Sequence, residues 1–253
     1  MRYLIVLASM VTVRGASQPP LLDRVSRAPD GVVRMSYAAR AGVCGNGTWI
    51  VTRPRADEWE NDCDAGPVRL SLTVRGGRVQ SLRTYVGGRW RDGASPDGGA
   101  VTDLGTVGAP AAAEMLVALA QRDDTPVADR ALGAAALADS ATIWPALLRI
   151  AKDANSPTRL RRIAVHQLGQ AAGESISGEL GALADRADED LRVREAALYA
   201  LSQRPRGEGI PALIRIARQS PEPQLRKRAV YALAQSEDPR AVALFEELLV
   251  KKD

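Results

Sequence analysis

Aromatic residues are scarce in this chain of 253 residues. They make up 4% of it, with a single Phe. Its core must therefore be closed by Ala, Leu, Val and Ile, which suits closely packed helices better than a β-sandwich. There is one histidine, His166. That count argues against a Ser-His-Asp triad and against a zinc site with several His ligands. Lysine is also rare: the basic residues are overwhelmingly Arg, with only four Lys. Apolar residues are 45% and charged residues 25%, the balance of a globular chain and not a disordered one.

The formal charge is +4. Residues 1–103 hold 14 Lys/Arg against 10 Asp/Glu, and residues 104–253 hold 20 of each, so the excess lies wholly in the first part. A sequence pI near 9.3 invites a nucleic-acid reading. The neutral second part opposes it, because a phosphate footprint needs concentrated positive charge.

Long apolar runs are missing. The longest opening stretch, residues 3–13 (YLIVLASMVTV), has 11 residues and is too short to span a bilayer. It follows Met1-Arg2 and precedes Gly15, Ala16 and Ser17, the charge–apolar–small order of a signal peptide over residues 1–17. The alternative is a buried N-terminal strand. Export predicts a periplasmic or secreted protein with no transmembrane span in the mature chain. Cys44 and Cys63 are the only cysteines, and behind a signal peptide an even pair reads as one disulfide. Free thiols and a metal site are the rival readings, and the spacing fits no metal-ligand motif.

Residues 18–30 carry Pro19, Pro20 and Pro29 and read as a linker. Residues 31–91 read as a small β-rich domain. Val68, Leu70, Leu72 and Val74 alternate with polar residues, and Gly76-Gly77 separates them from a second β-prone run over 78–86, a hairpin pattern. Residues 92–103 (DGASPDGGAVTD) are dense in turn formers and read as a second linker. Trp49, Trp59 and Trp90 either fill the small core or form a contact surface.

Residues 104–253 repeat. LRRIAVHQLGQ from Leu160, VREAALYALSQ from Val193 and LRKRAVYALAQ from Leu225 stand at offsets of 33 and 32, with a fainter copy, DRALGAAALAD, from Asp129. Arg130, Arg161, Arg194 and Arg226 form one column. Gly133, Ala164, Ala197 and Ala229 form another, and Leu137, Leu168, Leu201 and Leu233 a third. A second helix follows each first one: PALLRIA at 145–151 matches PALIRIA at 211–217, two repeats apart. Residues 109–120 read as a lone second helix ahead of the first full pair.

Two helices per roughly 32 residues resemble the HEAT repeat in a shortened form, and more narrowly the bacterial phycobilisome-lyase-like HEAT repeats. The resemblance implies a fold class: an α-solenoid of about four and a half helix pairs, preceded by the small β-rich domain. It also implies curved surfaces that bind other macromolecules, with the second helices on the concave face. No cysteine lies in this half, and no other feature suits it to handle a bilin.

On the second helices Arg149 and Arg215 align, with Lys152 and Arg218 three residues on, while Asp185 interrupts the series. These four are candidates for binding an acidic segment of a partner, the alternative being solvated surface charge. His166, Tyr199 and Tyr231 share a column on the first helices, with Arg162, Glu195 and Lys227 four residues earlier, and form an alternative contact stripe unless they only cover the next repeat. No phosphate loop, metal constellation or nucleophile–base pair is visible in the solenoid, so no catalytic residue and no cofactor is expected there. The leading expectation is an exported, non-enzymatic scaffold for a protein partner. One alternative is a nucleic-acid-binding repeat protein. Another is an enzyme or glycan-binding module in the N-terminal domain, for which Asp57, Glu58, Glu60, Asp62 and Asp64 are the carboxylates at hand.

Overall fold

The structure, a computed structural model, describes residues 20–47, 50–52, 63–88, 90, 99–122, 126–170 and 174–250. The leading segment 1–17, the tryptophans Trp49 and Trp59, and the carboxylates Asp57, Glu58, Glu60 and Asp62 lie outside the described residues.

The chain order is α1 (Leu21–Ser26), β1 (Gly31–Tyr37), β2 (Cys44–Gly45), β3 (Ile50–Val51), β4 (Val68–Arg75), β5 (Arg78–Val86) and β6 (Ala100–Thr106). The helices α2 (Ala109–Arg122), α3 (Pro126–Ala135), α4 (Trp144–Lys152), α5 (Thr158–Gln170), α6 (Glu174–Asp185), α7 (Leu191–Ser202), α8 (Ile210–Gln219), α9 (Pro223–Ala234) and α10 (Pro239–Val250) follow. A β-rich N-terminal region thus precedes a helical solenoid.

One sheet has the order β5-β4-β1-β6. The period-two alternation of β4 puts Val68, Leu70, Leu72 and Val74 on one buried face, and the register lays Tyr37, Met35 and Val33 beside Val68, Leu70 and Leu72. β6 departs from the linker expected over 92–103. It pairs parallel to β1, with Gly31 opposite Ala100. Its side chains are mostly exposed, so no apolar alternation announces it. Backbone pairing holds it, together with the Arg34–Asp103 ion pair at 2.8 Å and the Ser36–Thr106 hydroxyl contact at 3.2 Å. Gly31 permits the approach, since a Cβ there would stand 2.0 Å from the Ala100 carbonyl oxygen. The linker expected over 18–30 likewise contains α1, which buries Leu22 and Val25 at helical spacing and packs on α2. Cys44 and Cys63 form a disulfide, with Cα atoms 5.2 Å apart. Closing a loop of that size contributes about 3 kcal/mol in the chain-entropy picture.

The solenoid has two layers. Helices α3, α5, α7 and α9 stack in one; α6, α8 and α10 stack in the other, and α4 joins them through the Lys152–Glu179 ion pair at 2.6 Å. The closest packing within a hairpin runs from each even-numbered helix to the odd-numbered helix after it, so the unit is α4–α5, α6–α7 and α8–α9. Leu168, Leu201 and Leu233 are buried, and Ala164, Ala197 and Ala229 are fully so, as their columns require. Gly169 marks the tightest α5–α7 approach, where a Cβ would come within 2.9 Å of the Ala200 Cβ. Pro145 and Pro211 occupy the first turns of α4 and α8, where a missing N–H removes no helical bond.

The sheet and the solenoid share one continuous apolar core. The inner sheet face and Ala112, Leu116, Ala131 and Leu132 of α2 and α3 belong to it together. The carbonyls at the C-terminal end of α3, where the regular helical donors run out, receive donors from the β region. The Tyr37 hydroxyl donates to the Ala134 carbonyl at 2.7 Å, Arg40 Nε donates to Ala136 at 2.9 Å, and the Arg40 amide donates to Leu137 at 2.8 Å. Burial pushes the Tyr37 phenol well above its ordinary pKa, so it stays a donor. Tyr37→Phe removes this donor and leaves the Ala134 carbonyl with the Leu137 amide alone, at 3.0 Å, and is expected to cost about 1 kcal/mol. In urea titrations, far-UV circular dichroism and tryptophan fluorescence should still report one shared transition, shifted downward. Two separate transitions in the unaltered protein would contradict a shared core.

Candidate interaction surfaces

The arginine column acts inward. Arg161 donates through Nε and Nη2 to the Ala151 carbonyl, both at 3.0 Å. Arg194 Nε donates to Ala184 at 2.9 Å, and Arg226 Nη1 to Ser220 at 2.8 Å. Each arginine near the start of an odd-numbered helix therefore caps the C-terminal end of the helix before it, where orphan carbonyls and the helix dipole concentrate negative charge. Arg130 breaks the series: its Nη1 donates to the Leu82 carbonyl of β5 at 3.2 Å, so the first member ties the solenoid to the sheet.

Arg161 also pairs with Glu189, both side chains being almost wholly buried. Glu189 accepts in addition from the Asp190 amide at 2.8 Å. Asp190 and Glu222 are the N-caps of α7 and α9, so Pro221 stands one repeat on from Glu189. No carboxylate occupies that place beside Arg194, and Arg194 Nη2 has no hydrogen-bond partner among the described residues. Arg161→Ala leaves the buried Glu189 carboxylate with only the Asp190 amide and, at 3.9 Å, the Arg186 guanidinium, and should destabilise by about 3 kcal/mol, whereas Arg161→Met with Glu189→Leu removes both charges and should cost clearly less. Urea midpoints of the three proteins check the difference.

The four basic residues expected to bind an acidic segment are mostly engaged within the solenoid. Lys152 pairs with Glu179, Arg215 with Asp185 at 2.6 Å, and Arg218 with Glu247. Asp185 is thus the partner of Arg215 and not an interruption of a basic series. Each pair joins successive helices of one layer, which explains the spacing without invoking a ligand. Arg149 alone has no ion pair among the described residues, and it lines a small recess of about 270 Å³ with Glu114.

The other stripe is open. Tyr199 is 56% exposed and Tyr231 70% exposed, and His166 is exposed. The His166 and Tyr199 rings are nearly parallel, at an angle of 14° with centroids 6.4 Å apart. Even with that contact, Tyr199 and Tyr231 leave more than half of their surface exposed. A depression of about 750 Å³ adjoins them, lined by Arg159, Arg162, Arg192 and Arg228 among others. Arg159 pairs with Asp129 at 2.6 Å and Arg228 with Glu195 at 2.9 Å. Arg162 and Arg192 form no ion pair among the described residues, so the face carries surplus positive charge beside exposed rings.

A larger groove of about 990 Å³ runs between β5, the β3 end of the disulfide-closed hairpin, and the α3–α5 segment. Leu82, Leu137, Ala141, Trp144 and Leu147 make it largely apolar, and His166, Gln167 and Gln170 border it. Composition and spacing did not point to it, because it exists only where the sheet meets the solenoid. Trp90, half-buried, lies on the far face of the sheet with the Arg34 guanidinium 5.6 Å from its ring. Asp64 is exposed, and its backbone bridges to Gly45. Among the described residues, no group of three or more His, Cys, Asp or Glu could hold a metal ion, and no helix is long and apolar enough to cross a membrane.

Comparison with curated proteins finds no match. Residues 179–253, from within α6 through α10, match a family model described as HEAT repeats, which supports reading the helical hairpins of this chain as a HEAT-repeat solenoid.

Proposed function

We propose that this protein is an exported, non-enzymatic scaffold that binds a protein partner along the α5–α7–α9 face. The exposed pair Tyr199 and Tyr231, one repeat apart, carries the reading. Tyr side chains offer large contact area with little conformational entropy to lose, and with Arg they are enriched where binding energy concentrates. HEAT-repeat solenoids suit protein binding, and the unpaired Arg162 and Arg192 favour a partner surface bearing carboxylates. The disulfide and the signal-like residues 1–17 support export.

Affinity capture from an envelope fraction tests this. A partner held by the unaltered protein should be lost with Tyr199→Ala plus Tyr231→Ala and kept with Arg215→Ala plus Arg218→Ala. Thermal stability of the tyrosine double variant should stay nearly unchanged, since both rings are exposed. Loss with the second variant instead would return the site to the other layer. Mass spectrometry of the captured protein should find residues 1–17 removed and Cys44 joined to Cys63. The same arginines favour a second reading, nucleic-acid binding. In that case affinity must fall steeply with added salt, because phosphate contacts release counterions.

A further inference from the structure

We infer that the groove between β5 and the α3–α5 segment receives an extended, carboxylate-bearing peptide segment, which adds to the sheet by pairing with Thr84. β5 is an edge strand. Its outward carbonyls are partly taken: Leu82 accepts from Arg130 Nη1 at 3.2 Å, and Val86 accepts from the Gly47 amide at 3.0 Å. The β4–β5 register is regular from Val68↔Val86 to Thr73↔Ser81. In an antiparallel strand the N–H and C=O of one residue point the same way, and the direction alternates with each residue. Thr84, midway between Leu82 and Val86, therefore turns both its backbone groups outward, into the groove that it lines. No hydrogen bond to Thr84 beyond the sheet register occurs among the described residues. The edge is thus closed at its two ends and open for one residue between them.

The surroundings select the occupant. An added strand places alternate side chains to either side of itself. Here one side meets Leu137, Ala141, Ile143 and Trp144, an apolar wall. Among the described residues the groove lining contains no carboxylate, and Arg130, which forms no ion pair among them, donates to the neutral Leu82 carbonyl. A backbone donor and acceptor, an apolar wall and a guanidinium with no ion-pair partner among the described residues match a peptide that presents its own backbone, an apolar side chain and a carboxylate. A free amphiphilic anion would use the wall and Arg130 but not the Thr84 edge.

The test uses the full chain and a displayed library of nine-residue peptides, followed by affinities of the selected peptides. Thr84→Val keeps the N–H and should bind as the unaltered protein does. Thr84→Pro removes an outward N–H that the β4 ladder does not use, a placement an edge strand tolerates, and should weaken binding at least about tenfold, the loss expected for a hydrogen bond worth about 1.4 kcal/mol. Arg130→Gln should weaken acidic peptides several-fold more than their amidated counterparts. By NMR the Thr84 amide should exchange more slowly once peptide is added. Should Thr84→Pro fail to fold, Thr142→Trp, which fills the groove from an exposed position, should abolish binding instead. Folded Thr84→Pro with full affinity would overturn the proposal, as would peptides lost on Tyr199→Ala but not on Thr142→Trp. Dodecanoate binding that depends on Arg130 and leaves Thr84 exchange unchanged, with no peptide selected, would assign the groove to an amphiphile and overturn it as well.

Discussion

The contact on which the solenoid depends is an arginine closing the end of the preceding helix. A helix ends with carbonyls that lack intrahelical donors, and burying them without partners is costly. Arg161, Arg194 and Arg226 supply those donors from the start of the next helix, so each hairpin is locked at its turn. The guanidinium suits this because it stays charged and offers several donors in a rigid fork. Arg161 and Arg194 are nearly inaccessible to solvent, which makes these two members structural and leaves them out of reach of a ligand. Where the fourth member, Arg130, reaches β5 instead, the same chemistry fastens the sheet.

A stacked array of hairpins leaves an apolar face at each end, and terminal elements must cover it. At the N-terminal end the sheet does so: its alternating Val, Leu and Met face continues the core of α2 and α3. Tyr37 and Arg40 satisfy the carbonyls at the end of α3, so the cover is held by hydrogen bonds as well as by burial. The disulfide-closed hairpin extends this cover, and the broad groove opens where it stands apart from α4 and α5.

The two layers of the solenoid treat their surface charges differently. Along α4, α6, α8 and α10, Lys152, Arg215 and Arg218 are matched across successive helices, which adds little stability per pair, and Arg149 is left without an ion pair among the described residues. Along α5, α7 and α9 some arginines are matched and others are not, and exposed tyrosines lie among them. Rings this exposed gain little from burial within the fold, so a partner docking on this face, as proposed, would have something to bury.

The sequence alone determined the repeat, the helix pairs, the β4–β5 hairpin and the buried Ala and Leu columns. Each is written in a local period of two, of 3.6 or of about 32 residues, and hydrophobic burial reads such periods directly. It also held the Arg column, though alignment could not say whether those side chains point inward or outward. The strand β6 and the helix α1 carry no local sequence signal, because one is held by backbone pairing with mostly exposed side chains and the other is short and sits among prolines. Only the tertiary structure decided which basic residues find acids, since Lys152 and Glu179 or Arg218 and Glu247 are nearly thirty residues apart and meet only through stacking. It alone also decided that the sheet shares the solenoid core and that Thr84 faces a groove. Both depend on contacts between segments distant in the chain, which no local pattern encodes.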